Sequence, residues 1–169
     1  MATLTTQEKK QAEEAAEAVI RDTFGSLDAV EFPINLDVVL EKYALQLKEG
    51  GFEDSQISGA FNRDEATIYV SEKESPERQL FTVAHELGHF KLHKGRTTDI
   101  LYRMQVYQFN NGDPKDETQA NWFAANLLMP KEAVKKMWKI TSDADRMATF
   151  FGVSRTAMYF RLKDLGLLQ

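Results

Sequence analysis

A chain of 169 residues, 43% hydrophobic and 11% aromatic, can build one packed domain, and its net charge of −5 argues against broad nonspecific binding to nucleic acid. The absence of cysteine excludes disulfides and thiolate-held metal, and it is compatible with the cytoplasmic location expected here. No apolar run is long enough to span a membrane, and the opening MATLTTQEKK lacks the apolar stretch of a secretory signal.

Thr5-Thr-Gln-Glu8 forms a capping-box pattern, and Ala12, Ala16, Val19, Ile20 and Phe24 then recur at helical spacing up to Gly25. This predicts an amphipathic helix over 5–25 whose Glu13, Glu14 and Glu17 form a solvated face. Phe32-Pro33 breaks the pattern, and Asn35 can cap a short helix carrying Leu36, Val39, Leu40 and Tyr43. Leu45-Gln-Leu47 alternates as a short strand. The stretches 57–61 and 66–70 flank the polar turn Asn62-Arg-Asp-Glu65, so 56–70 reads as a β-hairpin. Gly59 inside its first strand allows a bulge or a close backbone approach. An edge of this sheet can either take an extended peptide as an added strand or simply cover the core, and the residues do not separate the two.

The next segment, 76–93, contains His85-Glu-Leu-Gly-His89 and reads as a helix capped by Ser75, begun by Pro76 and followed by Gly95. Two His four residues apart share one helical face, and their rings can hold one Zn²⁺ between them. Glu86 lies about 60° round the helix from His89, a position suited to taking a proton from a bound water. Leu80, Phe81, Val83, Ala84, Leu87 and Leu92 would pack this helix into a core, where unpartnered imidazoles would be costly.

His93 continues the same face but lies about 12 Å along the axis from His85, too far for bonds of about 2 Å to a common ion. It reads instead as a cation at the helix C-terminus. The third ligand is expected on a helix over 114–129, capped by Asp113 and begun by Pro114. There Glu117, Ala120, Asn121, Ala124 and Leu128 share a face whose alanines permit close helix approach. Glu117 is the expected ligand, with Asp113 and Asp116 as fallbacks, and Asn121 can orient a ligand His from behind. A metallopeptidase also needs a donor for the oxyanion; Tyr102, Tyr107, Arg103 and His93 are all candidates.

After Pro130, a short helix over 131–138 precedes Asp143–Phe151, a Gly152 turn and a Ser154-capped helix ending at Gly166, a helix-turn-helix pattern. Arg155, Arg161 and Lys163 can meet phosphates. The acidic chain and Asp164 favour the plainer reading, a helical appendage packed through Phe150, Val153, Met158 and Leu162.

Phe81-Thr-Val-Ala-His-Glu-Leu-Gly-His89 with Leu92-His93, and Glu117-Thr-Gln-Ala-Asn-Trp-Phe-Ala-Ala-Asn-Leu-Leu-Met-Pro130, together resemble the ImmA/IrrE family of metallopeptidases. Ser58-Gly59 and 66–70 look like its hairpin, and 151–154 and 161–167 like its C-terminal helices; the acidic first helix has no match. The resemblance implies a thermolysin-like (gluzincin) core with His85, His89 and Glu117 on Zn²⁺ and Glu86 as base. It also implies a substrate that is a helix-turn-helix repressor, acted on by cleavage or by non-proteolytic antirepressor binding. The expected fold is α+β: a mostly helical zincin-like core over 1–130 with a small antiparallel sheet, then a helix-turn-helix-like subdomain over 131–169. The expected activity is that of a zinc endopeptidase, with a repressor-sequestering binding module as the alternative. An intact Glu86 favours the enzyme, because a purely structural metal site has no use for that carboxylate.

Overall fold

The computed structural model describes residues 2–54, 57–95 and 113–168 and the backbone of a strand at 98–102. Helix α1 (Thr6–Phe24) starts with the full capping box: Thr5 Oγ1 accepts from the Glu8 N–H, and Glu8 accepts from the Thr5 N–H at 2.7 Å. Its buried stripe is Ala12, Ala16, Val19 and Ile20, as the spacing predicts. After a 3₁₀ turn (Leu27–Ala29), helix α2 (Leu36–Lys42) is capped by Asn35 and buries Leu36, Val39 and Leu40.

Strands β1 (Gln46–Gly50), β2 (Ile57–Asn62), β3 (Thr67–Ser71) and β4 (Thr98–Tyr102) form a sheet in the order β1-β3-β2-β4. β2 and β3 make the antiparallel hairpin, its turn held by Asn62 Oδ1, which accepts from the N–H groups of Asp64 and Glu65. β1 pairs parallel with β3, so the sheet as a whole is mixed within the expected α+β class. β4 pairs antiparallel with β2. Both hairpin edges are therefore covered, and an added strand would have to pair with β1 or β4 instead. Gly59 has both of its expected roles. The β2–β4 register shifts between Ile57 and Gly59, and a Cβ there would overlap Thr82 Cγ2 and come within 2.8 Å of the Tyr69 carbonyl.

Helix α3 (Pro76–Leu92) lies across β2 and β3, and helix α4 (Pro114–Leu128) packs on its other side and against α1. Held between sheet and helices, α3 buries every residue from Thr82 to His89. Helices α5 (Lys131–Ile140), α6 (Ala144–Phe151) and α7 (Arg155–Asp164) complete the chain. Val134, Met147, Phe151, Val153, Met158 and Leu162 join the same continuous apolar core as Val19, Leu87 and Phe123. Phe151 meets Phe32 edge-on at 4.8 Å. Gly152, left-handed at φ 67°, leaves no room for a Cβ beside Pro33 Cβ at 2.8 Å.

The C-terminal pair has helix-turn-helix form, but Arg161 does not face solvent. It is 4% exposed; its Nε donates to the Met129 carbonyl at 3.0 Å and its Nη2 to Asn126 Oδ1 at 2.7 Å. That corrects its reading as a phosphate contact: it ties α7 to the last turn of α4.

Candidate metal centre

Local sequence places each half of the site. Ser75 Oγ accepts from the Arg78 N–H and Pro76 opens α3, setting the phase in which His85 and His89 stack one turn apart. Asp113 Oδ1 accepts from the Lys115 N–H and Pro114 opens α4, so Glu117 sits in its first turn. Close packing then joins the halves. Gly88 has no side chain where α4 crosses; a Cβ there would lie 3.2 Å from both the Cα and the carbonyl oxygen of Ala120 and 3.1 Å from Phe123. A larger residue at Gly88 would press on the α4 backbone one turn beyond Glu117.

The Nε2 atoms of His85 and His89 are 2.9 Å apart. Glu117 Oε2 lies 3.3 Å from His85 Nε2, and Oε1 lies 3.4 Å from His89 Nε2. With bonds of about 2.0–2.1 Å, a tetrahedral ion spaces its ligand atoms by about 3.4 Å. The observed spacings approach that value, and nitrogen and carboxylate donors are the set that zinc takes at open sites, so these residues fit a metal ion. Both imidazoles are 1% exposed, and Glu86 is wholly buried on the same helix. Burial by itself raises the pKa of Glu117. Hydrogen bonding to His85 and His89, reinforced by the positive charge those rings carry whenever they are protonated, outweighs it and holds the carboxyl well below the usual carboxylate range. The centre therefore keeps a carboxylate ionised where two imidazole edges converge.

Each His is also held at its back. His85 Nδ1 lies 2.8 Å from Asn121 Oδ1, one turn beyond Glu117 on α4. His89 Nδ1 lies 2.9 Å from His93 Nδ1. His93 is outside the converging trio of His85, His89 and Glu117, as the axial distance requires. It is the C-cap of α3, with its side chain only 8% exposed, its Nε2 3.1 Å from Gln119 Oε1 and 3.5 Å from Asp116 Oδ1.

Gln119 and Arg63 escaped the sequence reading. Gln119 lies about 200° round α4 from Glu117, so the helical wheel gives no reason to group them. Arg63, in the hairpin turn, donates to the carbonyls of His89 at 3.2 Å and His93 at 3.1 Å, fastening the last turn of α3 to the sheet. Asp113 and Asp116 keep their places at the start of α4, outside the trio. The side chains of Tyr102, Arg103 and Tyr107 lie outside the described residues.

Residues 35–163 match the family described as Peptidase_M78, the IrrE N-terminal-like domain. The chain is 31% identical over 117 residues to "Uncharacterized immunity region protein 2" of Bacillus phage phi105, covering 68% of this chain and 70% of that one. It is 27% identical over 116 residues to Metallopeptidase ImmA of Bacillus subtilis, covering 66% of each. To the radiation response metalloprotease IrrE of Deinococcus radiodurans it is 35% identical over 80 residues, 47% of this chain but 24% of the longer relative. The fold is shared with a Mycobacterium tuberculosis transcriptional regulator at a TM-score of 0.66 and 16% identity, over 91% of this chain and 46% of that one. No helix among the described residues is long and apolar enough to cross a membrane. With both halves of the metal centre inside the matched span, the chain belongs to the ImmA/IrrE family of metallopeptidases.

Proposed function

We propose that the protein is a zinc endopeptidase that acts in the cytoplasm on a helix-turn-helix repressor. The observation that carries the reading is the convergence of His85, His89 and Glu117 at near-tetrahedral spacing inside a buried site. His85, His89 and Glu117 hold the Zn²⁺, and Asn121 orients His85 through its Nδ1. Bound zinc supplies Lewis acidity, making water a stronger acid and the scissile carbonyl a better electrophile. Glu86 takes the proton from the attacking water and passes it to the departing amine. Its burial suits that role, since shielding from water strengthens the field at the reacting atoms.

The repressor substrate rests on the family resemblance; the printed name Metallopeptidase ImmA supports the peptidase activity alone. Residues 131–169, with the helix-turn-helix form of α6 and α7, serve as a helical subdomain that buttresses the centre rather than as a DNA reader. Elemental analysis tests the site. The wild type should carry zinc near one equivalent, Glu117→Ala should lose it, and Glu86→Gln should keep it while losing peptide cleavage. A wild type that takes up no zinc after reconstitution would overturn the proposal.

A further inference from the structure

One hydrogen-bond path leads out of the metal centre through His93, and its direction can be derived from the far end. Gln119 Nε2 lies 3.0 Å from the backbone carbonyl of Glu8 in α1 and 3.4 Å from Gln11 Oε1. A backbone carbonyl only accepts, so the amide nitrogen of Gln119 faces α1 and its Oε1 faces His93. Around His93 Nε2 stand Gln119 Oε1 at 3.1 Å and, farther off, Asp116 Oδ1 at 3.5 Å. Both are acceptors, and they place the imidazole proton on Nε2. A neutral imidazole carries a single N–H, which leaves His93 Nδ1 bare. The contact of 2.9 Å between the two Nδ1 atoms then has one direction: His89 Nδ1–H donates and His93 Nδ1 accepts.

We propose that Gln119 and His93 are positioning residues, through which the α1 backbone at Glu8 fixes the proton of His89 on Nδ1 and leaves its Nε2 lone pair facing His85 and Glu117. The inference rests on reading those three residues as the metal ligands. It also brings α1, which precedes the family match at 35–163, into the working of the site. Outer partners of metal-bound imidazoles orient the ring and raise its basicity, and losing one costs about 10–100-fold in metal affinity. Here the outer partner is itself an imidazole, and a glutamine held by another helix sets that imidazole's tautomer.

The test uses the full chain, labelled with ¹⁵N and studied at about pH 8, above the ordinary imidazole pKa. With only three histidines, comparison with His93→Phe assigns the ring signals. Two- and three-bond ¹H–¹⁵N correlations should show His93 in the Nε2–H form in the wild type and a mixture of tautomers in Gln119→Leu. Chelator competition should show zinc affinity falling by about tenfold or more in His93→Phe. A wild-type His93 protonated on Nδ1, or affinity in His93→Phe within about twofold of wild type, would overturn the proposal. A wild type that takes up no zinc, yet holds His93 as the Nε2–H form that Gln119→Leu loses, would reject the metal reading and still support the relay.

Discussion

Helices α3 and α4 and helices α6 and α7 are both close-packed pairs with buried polar groups, and they use those groups in opposite ways. In the C-terminal pair the buried cation is Arg161, with its bonds directed at the end of α4 and at Asn126, whose Nδ2 in turn donates to the Trp122 carbonyl. Those bonds join α7 to α4, and Arg161 Nη1 also lies 3.8 Å from Asp164 Oδ2 on its own helix. In the α3–α4 pair, His85 and His89 are bonded at the back through Nδ1, while both Nε2 edges and a carboxylate converge on one point. Burial of polar groups does not distinguish a site from a structural joint. The direction of the remaining donors and acceptors does.

Breaking each pair in turn sharpens the contrast. The largest effect is expected from Glu86→Gln: a loss of about 10³-fold in peptide hydrolysis, within the span that a general base contributes, with zinc content unchanged by elemental analysis. Arg161→Ala should come next, lowering stability by about 3 kcal/mol in urea unfolding by leaving Asn126 and the Met129 carbonyl without their buried partner, and with zinc affinity unaltered. If that variant lost zinc in its folded state, the two pairs would not be separable.

Gly88→Ala sets two effects against each other. Alanine favours the helix by about 1 kcal/mol, but its methyl group would press on the Ala120 backbone, which yields only if α4 moves. The methyl contact is expected to win, with zinc affinity falling by about tenfold as Glu117 withdraws; tighter binding would show that the crossing has slack. The smallest effect is expected at Arg155, an exposed side chain 2.7 Å from Asp145. Arg155→Ala should change stability by less than about 0.5 kcal/mol, because solvent screens such pairs. It should also leave DNA retention on a gel shift as weak as in the wild type.

Much of this protein is local and could be read directly. The cap residues Thr5, Asn35, Ser75, Asp113, Asp143 and Ser154 all accept backbone N–H groups where helices begin, because capping depends on residues two or three positions away. The pairing of His85 with His89 follows from the helical period alone, and the shared face of Glu117, Asn121 and the alanines follows from the same period on α4. Other features depend on residues far apart in the chain. Covering of the hairpin by β1 and β4 is decided by long-range backbone pairing that side-chain alternation does not encode. Arg161 is buried because the carbonyls it satisfies belong to α4, some thirty residues earlier in the chain. Gln119 matters because α1 lies where a carbonyl of Glu8 can orient its amide. Sequence by itself determined the helices and the residues each presents on a face. Only the tertiary packing decided which faces meet, because a buried hydrogen bond needs both partners within about 3 Å, and no pattern within one element supplies that distance.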